Sequence, residues 1–432
     1  MNSQSTLVGL FKEVYGTNIV EAWGFMAKLA SKFEFVPKEM QPGNLFHQPV
    51  DVQFEHGISM AKAGDLIGTT SVPFLNATAG QMQDGQIAGA QMLGRSQVSY
   101  EAIARSANSA AAFKQATQHI VRRLSQSMIK RLEIQLLHGA RGIGTVAANP
   151  TQSGSKTVVI TITDETWSAG IWAGLAGCPI DIKTSDFTTN RQVNNNNTTT
   201  VSTTVSAIDT VNKTVSLLTT GDNWTGIVAG DVLFFGTGSG TTAGSEMYGL
   251  DAWSRIVTGA TYFNISATTY DLWRGNIYGN GGNTGTLSFA KLLEGAGMLA
   301  SYNMFDDLLA IVPPKGFEVL NTDIAALRQY DVSYQESKAK AGHRALVFNA
   351  QTGPMELMSH AFQKDGLAHL CCPRELSRVG ATDVDFITRQ GSEDKLVLES
   401  ATTAGSEMRC YSNQALWVQQ PRHTLVFPGL TY

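Results

Sequence analysis

The chain has 432 residues, 43% of them hydrophobic, enough for a sizeable core and for two or more domains. Charged residues make up only 16%, below the ~25% usual for soluble domains, and the formal net charge is −4. That balance argues against a dedicated nucleic-acid binder, which would be basic overall, whereas a low-charge surface rich in Thr, Ser and Asn suits protein facing protein.

Met1 leads into polar residues, not into the apolar core of a signal peptide, and no run of 18 apolar residues occurs. Neither secretion nor a membrane partner is expected. The four cysteines, Cys178, Cys371, Cys372 and Cys410, form no Cys-x-x-Cys, and Cys371 and Cys372 would point to opposite faces of a strand. They read as reduced, buried thiols. A zinc site from His360, His369 and Cys371 fits poorly, because two of the three fall on one strand, so no metal and no cofactor are expected.

Residues 1–50 read as an arm. Leu7, Leu10, Phe11 and Val14, then Ile19, Trp23, Met26, Ala27 and Ala30, mark two short amphipathic helices ended by Pro37 and Pro42. Residues 51–107 read as an extended loop. Val50, Val52 and Phe54 alternate with polar neighbours, as do Val98, Tyr100 and Ala102, and the section between them is polar, Gly-rich and without a core of its own. A loop that long is usually functional, and this one is expected to reach over another subunit.

Residues 108–138 predict one long helix. Ile120, Leu124, Met128, Leu132 and Leu136 form a four-residue ladder, Asn108 or Ser109 caps the start, and Gly139 suits a left-handed terminator. The outward face is predicted to carry Lys114, Arg122, Arg123, Lys130 and Arg131 against a single Glu133. Residues 155–265 predict short strands, with 194–200 as a polar tip, in the manner of a small inserted β-barrel or sandwich, and 178–247 is expected to behave as an autonomous unit. Residues 266–345 turn to α/β, with a buried strand Leu308–Val312 and Pro314 opening a helix; residues 346–432 are strand-rich.

The chemistry of enzymes is sparse. There is no Gly-x-Ser-x-Gly, His-Glu-x-x-His or dinucleotide fingerprint, and Gly236–Gly240 lacks the Gly-Lys-Ser/Thr of a phosphate loop. Asp306–Asp307 and Glu393–Asp394 read as solvated turns, and His119 and His138 as packing or cap groups on the long helix. No catalytic residue is expected.

The succession of arm, extended loop, long basic helix, α/β region with a β insert and strand-rich return resembles the major capsid protein family of tailed bacteriophages, whose fold is shared with the herpesvirus capsid floor and encapsulins. Leu309-Ala-Ile-Val-Pro-Pro-Lys-Gly-Phe-Glu-Val-Leu320, the run Met355–Pro373, and Met408–Pro421 followed by Leu425–Phe427 are similar to that family's axial strand-then-helix, peripheral strands and C-terminal strands. The resemblance covers nearly the whole chain through the order of its parts, with no single specific motif.

It implies an α+β capsid fold: arm 1–50, extended loop 51–107, peripheral domain 108–154 built on spine helix 108–138, β insertion 155–265, axial domain 266–345, and return 346–432. It also implies hexamers and pentamers closing an icosahedral head around double-stranded DNA, within a virion assembled in the host cytoplasm. Implied partners are other copies of the chain, a separate scaffold protein, a portal and decoration proteins. Some members cross-link a loop lysine to a neighbour; Lys62 is the only lysine in 51–107, and no partner for it is identifiable. An encapsulin-like compartment shell is the alternative, and a β-rich adhesin or glycan-active enzyme a more distant one that leaves the long helix unexplained.

Overall fold

The computed structural model describes residues 27–37, 45–76, 79–99, 101, 110–151, 156–191, 203–219, 226–236, 245–322, 345–387, 398–399 and 405–432. The predicted helices as far as residue 26, the cap at Asn108 or Ser109, the tip 194–200 and Glu393–Asp394 lie outside them. Ala27 and Ala30, read as the end of the second helix, are not helical: Ala30 lies in a turn and Ala27 in no regular element.

In chain order come β1 (Glu34–Pro37), β2 (Leu45–Gln53), β3 (Gln81–Ala88), β4 (Ala90–Ser99) and the long helix α1 (Ala110–His138). Next are β5 (Gly144–Thr145), β6 (Thr157–Thr161), α2 (Ala169–Trp172), β7 (Ile180–Lys183), β8 (Thr203–Asp209), β9 (Thr214–Thr219) and β10 (Val232–Phe235). They lead to α3 (Leu250–Ser254), β11 (Thr261–Tyr262), β12 (Ile265–Ser266), β13 (Asn276–Ile277), α4 (Phe289–Ala300), β14 (Leu308–Val312) and α5 (Pro314–Thr322). The return consists of β15 (Ala345–Ala350), β16 (Gly353–Ser359), β17 (Ala368–Cys371), β18 (Leu376–Phe386), β19 (Leu398–Glu399), β20 (Gly405–Val418) and β21 (Leu425–Phe427).

The apolar ladder of α1 turns inward as its spacing requires: Ile120, Met128, Leu132 and Leu136 are buried and Leu124 is half-buried. The middle of the helix lies on β4 and β20, where Val121 and Leu124 pack with Val98 and Met408. Gly94 of β4 allows this approach, since a Cβ there would stand 2.8 Å from Met128 Sδ. The end of α1 departs from expectation. Gly139 is not the left-handed residue; Ala140 is, at φ 61°. Gly139 is needed for space, because a Cβ there would meet the Met247 carbonyl oxygen at 2.2 Å.

A six-stranded mixed sheet runs β13-β21-β17-β14-β16-β15, with β14 parallel to β16 and antiparallel to β17. Strand β14 is buried at all five positions, and its period of two divides the interior. Leu308, Ala310 and Val312 join α4 through Leu292, Ala296 and Leu299, whereas Leu309 and Ile311 join the larger core of Leu132, Leu136 and Trp253. Cys371 and Cys372 likewise face these two cores separately. The four cysteines are free thiols, three buried and Cys178 half-buried.

In a second sheet, ordered β1-β18-β20-β19, β4 also pairs with β20. Two stretches read as separate strands, Met408–Ser412 and Ala415–Gln419, are one strand, and β18 was not foreseen. The β-rich segment makes two three-stranded sheets, β6-β9-β8 and β5-β10-β7. β6 and β5 lie outside a 178–247 unit, and Val158, Ile160, Val215 and Leu217 share one contiguous core with Leu132 and Trp253.

Candidate functional site

Strands β2 and β3 pair antiparallel from Leu45↔Ala88 to Gln53↔Gln81 and form a hairpin rooted on the body. Ile87 and Val52, near opposite ends of this ladder, are both buried, and Gly85 lies over Trp417, whose Cη2 would stand 3.2 Å from an added Cβ. Trp417, Trp253, Trp273 and Phe263 form an aromatic cluster beneath, with the Trp253–Phe263 pair stacked at 5.0 Å between centroids. Gln86 N donates to the Phe263 carbonyl at 2.9 Å, and Gln83 Nε2 to the Tyr270 hydroxyl at 3.0 Å. The hairpin is thus fixed at its base.

Beyond the base the character inverts. Phe54, Met60, Leu66 and Phe74 are exposed by 73%, 87%, 78% and 74%, and Ile58 and Leu75 are exposed too. Local bonds shape the loop, such as Gly68 N to the Val72 carbonyl at 2.7 Å and Leu75 N to Ser59 Oγ at 2.9 Å, without enclosing these side chains. So many large apolar groups on one projecting segment mark an interaction surface. Lys62 is exposed there, and its carbonyl accepts from Asp65 N at 3.0 Å. Phe54, read as an inward strand residue, falls just past a register shift between Asp51 and Gln53 and points to solvent.

The predicted basic face of α1 is not one face. Arg122 and Arg123 are exposed, whereas Lys130 and Arg131 are half-buried. Lys114 lies in the helix, its side chain outside the described residues. Lys130 Nζ donates to the Ala173 carbonyl at 2.6 Å, and burial, reinforced by the Arg131 charge, brings its amine down to about 8. Arg131 stacks on Phe235, 3.4 Å from the ring centroid, and Nη2 donates to Cys178 Sγ at 2.9 Å. The nine residues from Arg122 to Arg131 make about two and a half turns, which puts them on opposite sides of the helix. Glu133, also read as outward, is fully buried because residues 132–139 are enclosed on every side.

The other residues singled out in the sequence are held apart from one another. His360 pairs with Glu133, His369 Nδ1 accepts from Gln363 Nε2 at 3.1 Å, and the Cys371 thiol points to the Leu309 carbonyl at 3.8 Å. Among the described residues no group of three His, Cys, Asp or Glu is placed to hold a metal, and no helix is long and apolar enough to cross a membrane. Asp306 accepts both contacts of a fork from Arg374 Nη1, at 2.8 and 3.0 Å, on the surface. Sequence reasoning missed Asp251 and Lys364, and it missed that Glu133 and His360 are buried with them around the end of α1. Glu133, a lone carboxylate between Leu132 and Ile134, was the signal that could have disclosed them.

No family model matches the chain, and no curated protein matches it by sequence. Solved structures do. A chain of the cyanophage A-1(L) capsid asymmetric unit is similar over 99% of both chains, with 12% identity and a TM-score of 0.52. Capsid chains of a native GTA particle (8% identity, 98% and 96% covered, TM-score 0.47) and of the cyanophage Pam1 capsid asymmetric unit (10%, 97% and 97%, 0.45) also align, and the fold rests on the first. The chain has the α+β fold of phage capsid proteins, over its full length.

Proposed function

We propose that this chain is the major capsid protein of a tailed phage, a structural and non-enzymatic subunit. Copies form hexamers and pentamers that close an icosahedral head around double-stranded DNA. The observation that carries this reading is the hairpin β2–β3, fixed at its aromatic base and ending in a loop whose large apolar side chains face solvent. A monomer gains nothing from exposing Phe54, Met60, Leu66 and Phe74; a shell subunit buries such groups on its neighbour. Many small symmetric contacts then add up to a cooperative closed assembly. The full-length capsid fold supports the same reading.

A separate scaffold protein, a portal and decoration proteins are the partners such a head uses, and the subunit would reside in the virion after assembly in the host cytoplasm. Arg122 and Arg123 are candidates for contact with packaged DNA or an acidic neighbour, through phosphate or carboxylate neutralisation without base readout. The test is negative-stain imaging of the overexpressed chain, with and without its genomic neighbours. Closed isometric shells are expected. A chain that stays monomeric in every combination overturns the reading, and shells that enclose an enzyme instead of DNA assign it to a cellular compartment.

A further inference from the structure

The end of α1 meets the segment between β16 and β17 in a buried polar joint. His138 Nε2 donates to the Phe362 carbonyl at 3.2 Å, which leaves Nδ1 a bare acceptor that no hydrogen-bond donor reaches. His369 Nδ1 accepts from Gln363, so its proton sits on Nε2, which is 3.6 Å from Asp251 Oδ1 and makes no hydrogen bond. The two rings are 6.1 Å apart. Buried Lys364 donates from Nζ to the Gly142 carbonyl at 2.8 Å. Asp251 is already engaged by Arg255 at 2.7 Å and approached by Arg141 at 3.8 Å. Glu246 accepts from Ala140 N with one oxygen, and its other oxygen has no partner.

The charges bearing on the imidazoles are therefore Lys364 and Arg255 against Asp251; around them Arg141 bears on Asp251 and Lys364, Glu246 on Lys364, and Arg131 on Glu246 from α1, with the Glu133–His360 pair just over one turn earlier. A proton on either ring adds one more positive charge to a buried site in which Asp251 is already engaged by Arg255. We propose that this joint is an acid-releasable latch, in which protonation of His138 and His369 frees the 360–369 segment from the end of α1 while the rest of the fold stays closed. The device belongs to the single subunit and does not depend on the capsid reading.

Burial, and after it the Lys364 charge, holds His138 well below the ordinary imidazole range, and burial lowers His369 as well. The opened state thus binds more protons than the closed one. Closure has its full strength above the open-state imidazole value of ~6.5 and weakens as pH falls below it. Glu246 opposes this. Burial pushes it up to about 7, so it is protonated while closed and favours closure as pH falls from there toward the open-state value of ~4.5. With two imidazoles against one carboxyl, Glu246 delays the release to a pH below the imidazole value of ~6.5.

Amide hydrogen exchange of the full wild-type chain, corrected for intrinsic rates, is measured at about pH 7.5 and about pH 5. Exchange in 133–142 and 360–369 is expected to rise severalfold, while Thr214–Thr219, the central strand of the β6-β9-β8 sheet, stays protected. Glu246→Gln removes the opposing group, and the rise should then begin near the imidazole value of ~6.5. The double variant His138→Gln, His369→Gln should lose it. Unchanged exchange of 360–369 in the wild type, or an equal rise across the whole chain, overturns the latch, whether or not the double variant folds.

Discussion

Glu133 and His360 meet at 2.9 Å, Oε2 to Nε2, fully buried and 227 residues apart in the chain. The same carboxylate accepts from Leu29 N at 3.1 Å and from Ala30 N at 2.8 Å. One side chain of α1 therefore ties the N-terminal arm to the return segment. Glu133→Ala would leave an imidazole and two backbone N–H groups without their acceptor, a loss of about 3–5 kcal/mol. Urea unfolding of the purified chain measures it. A midpoint equal to the wild type's would show that the carboxylate does not bind the three segments together.

The long helix, the buried strand Leu308–Val312, the opposed faces of Cys371 and Cys372, and the projecting loop were legible because each follows from a local period or its absence. What was not legible depends on partners far along the chain. A helical wheel gives the side of α1 on which Lys130 and Arg131 lie, but not that Ala173, Cys178 and Phe235 fold over that side. Strand β18 escaped because its burial pattern is irregular, broken by register shifts at Gly380/Thr382 and Thr382/Asp385 that interrupt any alternation. Gly139 misled for a similar reason: glycine supplies either a positive φ or missing bulk, and only the Met247 carbonyl reveals which.

Leu132 and Leu124 sit on the same ladder in different surroundings. Leu132 is enclosed in the main core, whereas Leu124 is half-buried between α1, Val98 and Met408. Leu132→Ala should cost about 2–5 kcal/mol, and Leu124→Ala distinctly less, because a side chain already in contact with water leaves a smaller cavity. Thermal melts of the two variants measure the difference. Equal losses would show that burial along α1 is uniform.

The loop can be tested apart from the fold only if the cut respects the strands. Removing residues 60–90 would take β3 with it, including buried Ile87. Excising 57–76 and bridging with a short Gly-Ser linker spares the β2–β3 ladder and removes Ile58, Met60, Leu66, Phe74 and Leu75. This variant should fold with a melting temperature near the wild type's and be more soluble, yet fail to close shells. Normal particles from it would remove the loop from the assembly contacts.

Arg122 and Arg123 offer the complementary test, on the exposed part of α1. Replacing both with Gln keeps the helical stems and deletes two charges. Subunit stability should change little, since exposed ion pairs are worth ~0–1 kcal/mol. Contacts with phosphate or an acidic neighbour would weaken, and most at low ionic strength, where screening is least. If both arginines neutralise DNA phosphates, the logarithm of DNA affinity should fall with the logarithm of salt less steeply than in the wild type, by roughly 1.8 in slope. A change confined to assembly, with the DNA slope intact, would instead place the two charges at a subunit contact. Wild-type assembly together with wild-type DNA retention across the whole salt series would show that the exposed arginines of α1 do neither.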